Sequence, residues 1–366
     1  MENRICVYTV CMNESKFVDK WVDSMSEADK IVALVHDCTD DTEEKLLARG
    51  VIVEHAHYDE WRFDVGKNDS MHAAMKNAPD CNILCFTSLD EIWDPGWAQI
   101  LKDNWTEDTN ICLYKFVQSH NDDGSDNLVT GFNWIHSNDP AWYWKYPIDE
   151  RICRDDQNFK YVDLFNVLKL NHWPDLAKPR PYVDLRRKMY NEYQDASSLV
   201  SLARDYYYVG KNEELFTILK EKDIDSLSLD KEEKSFLFAC LASLYWKVEK
   251  NIEKTVDLFK QGISADSTFR IPYLWFGRIL CDIKLYCEAE FYLKEGLSKT
   301  HRHYTWLENA ADFEGEMFIW LTVATYYKGK YLESLAYATR ALDLMPKSEL
   351  AQNNLRYCKE AVVNIV

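Results

Sequence analysis

Asp90 and Glu91 close the run Cys81–Trp93 (CNILCFTSLDEIW), where an apolar stretch ends abruptly in Ser88-Leu89-Asp90-Glu91. Open α/β sheets bind ligands outside the carboxyl ends of their strands, so adjacent carboxylates at such an end read as a divalent-metal site. An acidic strand-to-helix turn with Asp90 as the cap explains the same residues without function. Four other segments carry groups that belong with this one. At the end of the first predicted strand, Thr9, Val10, Asn13 and Glu14 offer backbone amides and an amide side chain to a ligand, or a plain helix cap. After the second strand, Asp37 and Asp40 could hold a ribose or base edge, although capping alone accounts for Thr39 or Asp40. Arg62 and Lys67 stand at the start of a predicted helix, where cations oppose the dipole; a diphosphate would supply the reason, and two solvated surface charges are the alternative. Arg154 and His172 come last; His172 is either structural or completes a metal shell with Asp90.

These groups need a scaffold, and the pattern supplies one. Short β-rich runs at 5–10, 31–35, 51–55, 83–86 and 111–117 alternate with helical patterns at 17–25, 42–48 and 69–77. Strand and helix in alternation with short connections predict crossover units and a largely parallel sheet. From Ser119 to Tyr146 the periodicity dissolves. A long stretch of that kind in a compact domain predicts a lid or binding loop, and Trp134, Trp142, Tyr143, Trp144 and Tyr146 argue against disorder. Beyond Lys178-Pro179-Arg180-Pro181, where two prolines forbid regular helix, the chain reads as helical. Ile252, Thr255 and Ile263 recur 34 positions later as Tyr286, Ala289 and Leu297, and again after 45 as Tyr331, Ser334 and Leu342. A period of 34 built from two amphipathic helices is the tetratricopeptide signature. Leu202–Leu219 fits a degenerate first repeat, and Tyr206, Tyr207, Tyr326 and Tyr327 read as packing within repeats. The expected organisation is an α/β domain over 1–178, a basic Pro-containing linker over 179–194 and helical repeats over 195–366.

With 43 Lys and Arg against 61 Asp and Glu, the formal charge is −18. Nucleic-acid and anionic-membrane partners are disfavoured, because both depend on clustered cations. Eleven cysteines form no Cys-x-x-Cys pair, and the polar-interrupted N-terminus is no secretory signal. Without an apolar run of about 18 residues, the expectation is a soluble cytoplasmic protein with reduced thiols.

Taken together, the segments resemble glycosyltransferase family 2, the GT-A fold of inverting nucleotide-sugar transferases. They are most similar to members fused to tetratricopeptide repeats, such as peptide S-glycosyltransferases and lipopolysaccharide-core glucosyltransferases. The resemblance rests on Cys11-Met12-Asn13-Glu14, Thr39-Asp40-Asp41-Thr42, Phe63-Asp64-Val65-Gly66-Lys67, Ser88-Leu89-Asp90-Glu91, Arg151-Ile152-Cys153-Arg154 and His172, and covers about residues 3–175. It departs at Ser88, where the family has an aspartate, and at Asn166-Val167, where relatives often carry His-Glu. The resemblance implies Mn²⁺ or Mg²⁺ on Asp90 and His172, with a nucleotide-sugar donor (UDP-linked) held around Thr9, Val10, Asn13, Glu14, Asp37, Asp40, Arg62, Lys67, Ser88, Leu89 and Arg154. The base that takes the acceptor proton falls to Glu91 or Asp163, with Asp149 or Glu150 as further candidates, and the segment Trp134–Tyr146 together with Trp93 would stack on sugar or acceptor. The acceptor is a peptide or glycan, and the helical repeats recruit it or build a homodimer. Two alternatives stand beside this reading. One is a transferase-like scaffold without catalysis whose repeats bind a protein. The other is a nucleic-acid-modifying transferase, which the basic run Lys178, Arg180, Arg186, Arg187 and Lys188 keeps open.

Overall fold

The computed structural model describes residues 2–121, 123–177, 182–299 and 310–364. The chain divides into two compact units, Met1–Met189 and Tyr190–Val366.

In the first unit the order is β1 (Ile5–Cys11), α1 (Val18–Met25), β2 (Lys30–His36), α2 (Thr42–Ala48), β3 (Ile52–Ala56), α3 (Phe63–Asn77) and β4 (Ile83–Phe86). It continues through β5 (Glu91–Trp93), α4 (Trp97–Asn104), β6 (Ile111–His120), β7 (Asp126–Ser137), β8 (Tyr143–Lys145), β9 (Arg151–Cys153), β10 (Tyr161–Asp163) and β11 (Lys169–His172). The main sheet runs β3-β2-β1-β4-β7-β6-β11-β5, with β10 also on β6. The expected parallel layer holds from β3 to β4, and β7 then enters antiparallel between β4 and β6. Because β1 lies between β2 and β4, crossovers leave it in both directions, which makes its carboxyl end a topological switch point.

Side-chain alternation along β1 builds a core on each face. Ile5 and Val7 pack with Trp21, Met25 and Trp97, while Cys6 and Tyr8 pack with Met71, Ala74 and Trp144. Helix α1 supplies Val18, Trp21, Val22 and Met25, the spacing of one helical face.

The segment Ser119–Tyr146 is no lid. Its first half is the β6–β7 hairpin, and Trp142, Trp144 and Tyr146 are buried. Polar β7 escaped the strand pattern because it is paired on both sides, and pairing context overrides propensity. Its Gly131 is needed where a Cβ would come within 3.0 Å of Leu113. Trp93 is likewise core, stacked on Trp97 at 5.3 Å.

The second unit is helical. Of the expected linker, Pro179, Arg180 and Pro181 lie outside the described residues, as does Lys178 before it, and Val183–Tyr193 forms helix α5, within which the two units divide. There follow α6 (Ala196–Tyr208), α7 (Asn212–Leu219), α8 (Lys231–Leu244), α9 (Ile252–Ala265), α10 (Ile271–Asp282), α11 (Tyr286–Ser298), α12 (Ala310–Tyr327), α13 (Tyr331–Leu344) and α14 (Glu349–Val363). The repeat positions fall in register, since Ile252, Tyr286 and Tyr331 each open the second helix of a pair. Thr255, Ala289 and Ser334 are fully buried. A second set of small residues, Gly262, Gly296 and Ala341, sits further along the same helices. A Cβ on Gly262 would come within 3.1 Å of the Ser235 carbonyl, so glycine permits the close helix approach. Part of the insertion before the third repeat lengthens α12, which has 18 residues against 12 in α10. No described helix is long and apolar enough to cross a membrane.

Candidate active site

After β4 the chain buries Leu89 in the core and turns into β5, which pairs antiparallel with β11 so that Glu91 faces His172 in register. The Trp173 amide donates to the Asp90 carbonyl at 2.7 Å. Residues 82 positions apart are thereby brought together, and His172 Nε2 lies 3.2 Å from Asp90 Oδ2. The other ring nitrogen, Nδ1, donates to the Gln118 carbonyl at 3.2 Å, which fixes the ring. Burial pulls the His172 pKa down, but its hydrogen bond to Asp90 and the charges of Asp90 and Glu91 outweigh it, so the imidazole titrates above its ordinary value. A proton between imidazole and carboxylate marks a place for positive charge. One carboxylate and one imidazole suit a divalent cation whose other positions are filled by water and phosphate oxygens. Among the described residues no group of three or more His, Cys, Asp and Glu could hold a metal ion.

Glu91 is 3% exposed and accepts the Ser88 amide at 2.8 Å. Burial, and then the adjacent Asp90, push its carboxyl up to about 7. Ser88 thus contributes its backbone to Glu91, and Leu89 contributes packing rather than a ligand contact.

Each cation expected to meet a diphosphate has a carboxylate partner inside the protein. Lys67 is 3% exposed, its amine 2.6 Å from Glu150 and beneath the rings of Trp134, Phe86 and Trp144 at 3.6, 4.2 and 4.4 Å. It is neither a solvated charge nor an open phosphate ligand, and burial lowers its pKa. Arg62 pairs with Asp64 at 2.8 Å. Arg154 is carried toward the opposite end of β4. It grips Asp156 at 2.6 and 2.7 Å and Asp139 at 3.3 Å, and Asp139 follows the end of β7 that pairs with the start of β4. It therefore has no part in a site built on Asp90.

Asp163 is displaced for a similar reason. Strands β10 and β11 occupy successive stretches of the same edge of β6, with Asp163 opposite Leu113 and His172 beside Gln118. Five residues of strand separate those levels, roughly 16 Å at about 3.3 Å per residue. Asp163 is exposed and accepts the Phe165 amide in a turn, so it is withdrawn as a base. Asp149 is held by Arg186 at 2.8 Å through both oxygens.

The loops after β1 and β2 are tied to each other. Asn13, with φ of 55°, accepts the amides of Thr39 at 2.7 Å and Asp40 at 3.3 Å, and the Glu14 amide donates to Thr42 Oγ1 at 2.8 Å. Asp40 accepts the Thr42 amide at 3.0 Å in a turn that leads into α2, whose N-cap residue is Asp41 rather than Thr39 or Asp40. Asp37 is bonded to His57 at 2.5 Å, and that bond holds its carboxyl below the usual range. Thr9 is sealed in the core and Val10 is half-buried, so neither side chain is presented to a ligand. Of the basic run, Arg186 is committed to Asp149 and Lys188 to Glu60.

Sequence reasoning missed the groups that connect these parts. Rings run from Trp134 through Phe132 at 4.5 Å and Phe116 at 4.2 Å to His172 at 5.8 Å, linking buried Lys67 to the Asp90 pair. Trp144 donates to the Tyr8 hydroxyl at 3.1 Å, which lies 2.9 Å from His136 Nε2, and burial drives His136 down to about 4. The alternation of Phe132, Trp134 and His136 was the available signal, obscured by Gly131 and Asn133.

No protein-family model matches the sequence, and no curated protein is significantly similar to it. The chain is similar to solved tetratricopeptide structures over part of its length. The first such domain of human RPAP3 is 16% identical, covering 36% of this chain and 93% of that one with a TM-score of 0.31. The Arabidopsis OM64 domain is 15% identical, covering 36% and 98% with a TM-score of 0.31. The thermophilic protein TTC0263 of Thermus thermophilus is 16% identical, covering 50% and 89% with a TM-score of 0.37. Likenesses at this level carry no argument, and the helical repeat architecture stands on the pairing and period described above.

Proposed function

We propose that the N-terminal unit is a metal-dependent inverting glycosyltransferase of GT-A type, moving a sugar from a UDP-linked donor to a nucleophile on a peptide or glycan. One observation supports it above the rest: Asp90, on the chain leaving the carboxyl end of β4, meets His172 at the carboxyl end of β11, 3.2 Å away. Asp90 and His172 would hold Mn²⁺ or Mg²⁺, which when bound supplies Lewis-acid neutralisation of the leaving diphosphate. The bound loops after β1 and β2 give the nucleoside a rigid floor. The Lys67–Glu150 pair and its three rings keep the wall behind Asp90 fixed rather than touching phosphate. Glu91, beside Asp90, is the carboxylate left to accept the acceptor's proton as the bond from sugar C1 to the diphosphate oxygen breaks.

The test is nucleotide release from UDP-sugars in the presence of Mn²⁺. Wild type should hydrolyse donor slowly, and Asp90→Ala should lower the rate at least about a hundredfold while its melting curve stays unchanged. Turnover by Asp90→Ala with unaltered metal dependence would remove Asp90 from the site. The pairing of Arg62, Lys67 and Arg154 with carboxylates favours a second reading, a transferase-like scaffold whose repeats bind a protein. That reading requires no turnover and no donor-dependent thermal shift.

A further inference from the structure

We infer that the ring of Trp173 is the acceptor platform and that it takes a hexopyranose, so that the acceptor is a glycan rather than a peptide. The inference rests on the transferase reading above and assigns the other half of the same site.

Trp173 is 48% exposed, unusual for a tryptophan joined directly to a buried strand. Its amide is fixed to the Asp90 carbonyl at 2.7 Å, and its neighbour is His172, so its backbone adjoins both proposed cation ligands. One face of the indole is covered by His120, with centroids 3.8 Å apart and planes within 3°. His120 is held in turn. Its Nε2 meets Asn171 Oδ1 at 3.2 Å, and Asn171 donates to Asp94 at 2.8 Å and to the Ile92 carbonyl at 3.3 Å. The ring is therefore set before any ligand arrives, which lowers the ordering cost of binding.

The charges around the ring select the ligand. The carboxylates nearby each have a cationic or imidazole partner: Lys169 lies 2.9 Å from Asp126 and 4.0 Å from Asp94, Lys16 pairs with Asp175, and His172 bonds to Asp90. Both of these lysines are engaged by carboxylates, which leaves a phosphate or an acidic peptide little to gain from them. A pyranose suits it, because its C–H face can lie on the electron-rich indole face while its hydroxyls donate to carboxylates. The nucleoside is placed elsewhere by topology. The switch point lies at β1 and β4, whereas Trp173 follows β11, on the other side of β7 and β6 in the sheet order.

The probes are methyl glycosides of glucose, galactose, mannose and N-acetylglucosamine, followed by saturation-transfer NMR on the full chain, with Mn²⁺ and UDP-dependent thermal shift measured in parallel. Wild type should transfer saturation to the ring protons of at least one glycoside. Trp173→Ala should weaken that binding roughly tenfold or more, Trp173→Phe should retain most of it, and both should keep the wild-type UDP shift. Glycoside binding that is the same in Trp173→Ala, or absent from wild type that binds UDP, overturns the inference, and so does a UDP shift lost with Trp173. Glycoside binding lost in Trp173→Ala with no UDP shift in wild type would sink the transferase reading and leave the platform standing.

Discussion

Two buried glutamates, one in each unit, meet opposite fates. Glu290 on α11 is 6% exposed, yet Lys294, Lys328 and Lys330 reach it at 2.6, 2.5 and 3.0 Å. Burial alone would raise its pKa, but the three lysines hold the carboxyl down to about 2. Glu91 on β5 is as well buried, has Asp90 beside it and is pushed up to about 7. A carboxylate neutralised within the fold belongs to the scaffold. One kept next to a second carboxylate, which is bonded to an imidazole, leaves a place for positive charge. In the helical unit buried hydroxyls close helix contacts, as where Ser235 donates to the Gly262 carbonyl at 2.8 Å and Ser334 to that of Thr322 at 2.9 Å. The α/β unit instead buries Lys67, Glu91 and His136 within one connected wall.

That contrast is sharpest at Lys67. Lys67→Met leaves Glu150 buried without its cation and should cost about 3–5 kcal/mol, read as a lowered urea midpoint, while Lys67→Met with Glu150→Gln should recover much of it. A change below about 1 kcal/mol would mean that the pair behaves like a surface ion pair.

Next in size is the pH dependence from His136. Its folded pKa, about 4, lies below the ordinary 6.5, so between these values the unfolded chain binds the extra proton. Stability from this group is complete above pH 6.5 and is lost as pH falls toward 4, a span of about 3 kcal/mol at most. His136→Phe should flatten that stretch of the stability curve, and an unchanged slope would assign the acid sensitivity to other groups.

The smallest effect is a difference in sign. At pH 8, Glu290→Gln should lower the unfolding free energy by about 1–3 kcal/mol, because it removes the carboxylate shared by Lys294, Lys328 and Lys330, of which Lys294 and Lys330 keep Glu333. Glu91→Gln removes a charge that burial disfavours and should leave stability equal or raise it by about 1 kcal/mol. If both substitutions destabilise alike, the two sites are not different in kind.

The repeats were legible because a 34-residue period survives in residue type. Tyr286 and Tyr331 open helices, and Ala289 and Ser334 fill contacts, as their positions required. Strands β1 to β4 were legible from continuous apolar runs. Strand β7 was not, because paired strands tolerate Asn and Gly whose cost is met by cross-strand contacts. At the site, the sequence offered Asp90 and His172 as partners, but not the reversal into β5 that brings them together. The roles of Lys67, Arg62 and Arg154 were hidden because their partners Glu150, Asp64, Asp139 and Asp156 are chosen by the fold. Asp163 was misplaced because nothing in the sequence shows that β10 and β11 share one edge of β6 at successive levels.

The account turns on whether Asp90 and His172 hold a divalent cation together with a nucleoside diphosphate. Electron paramagnetic resonance of Mn²⁺ titrated into the full chain with UDP measures this directly. Wild type should convert free Mn²⁺ to a bound form only when UDP is present, and Asp90→Asn and His172→Ala should each lose that conversion while remaining folded. Bound Mn²⁺ of equal affinity in both variants, or none in wild type with UDP, would contradict it.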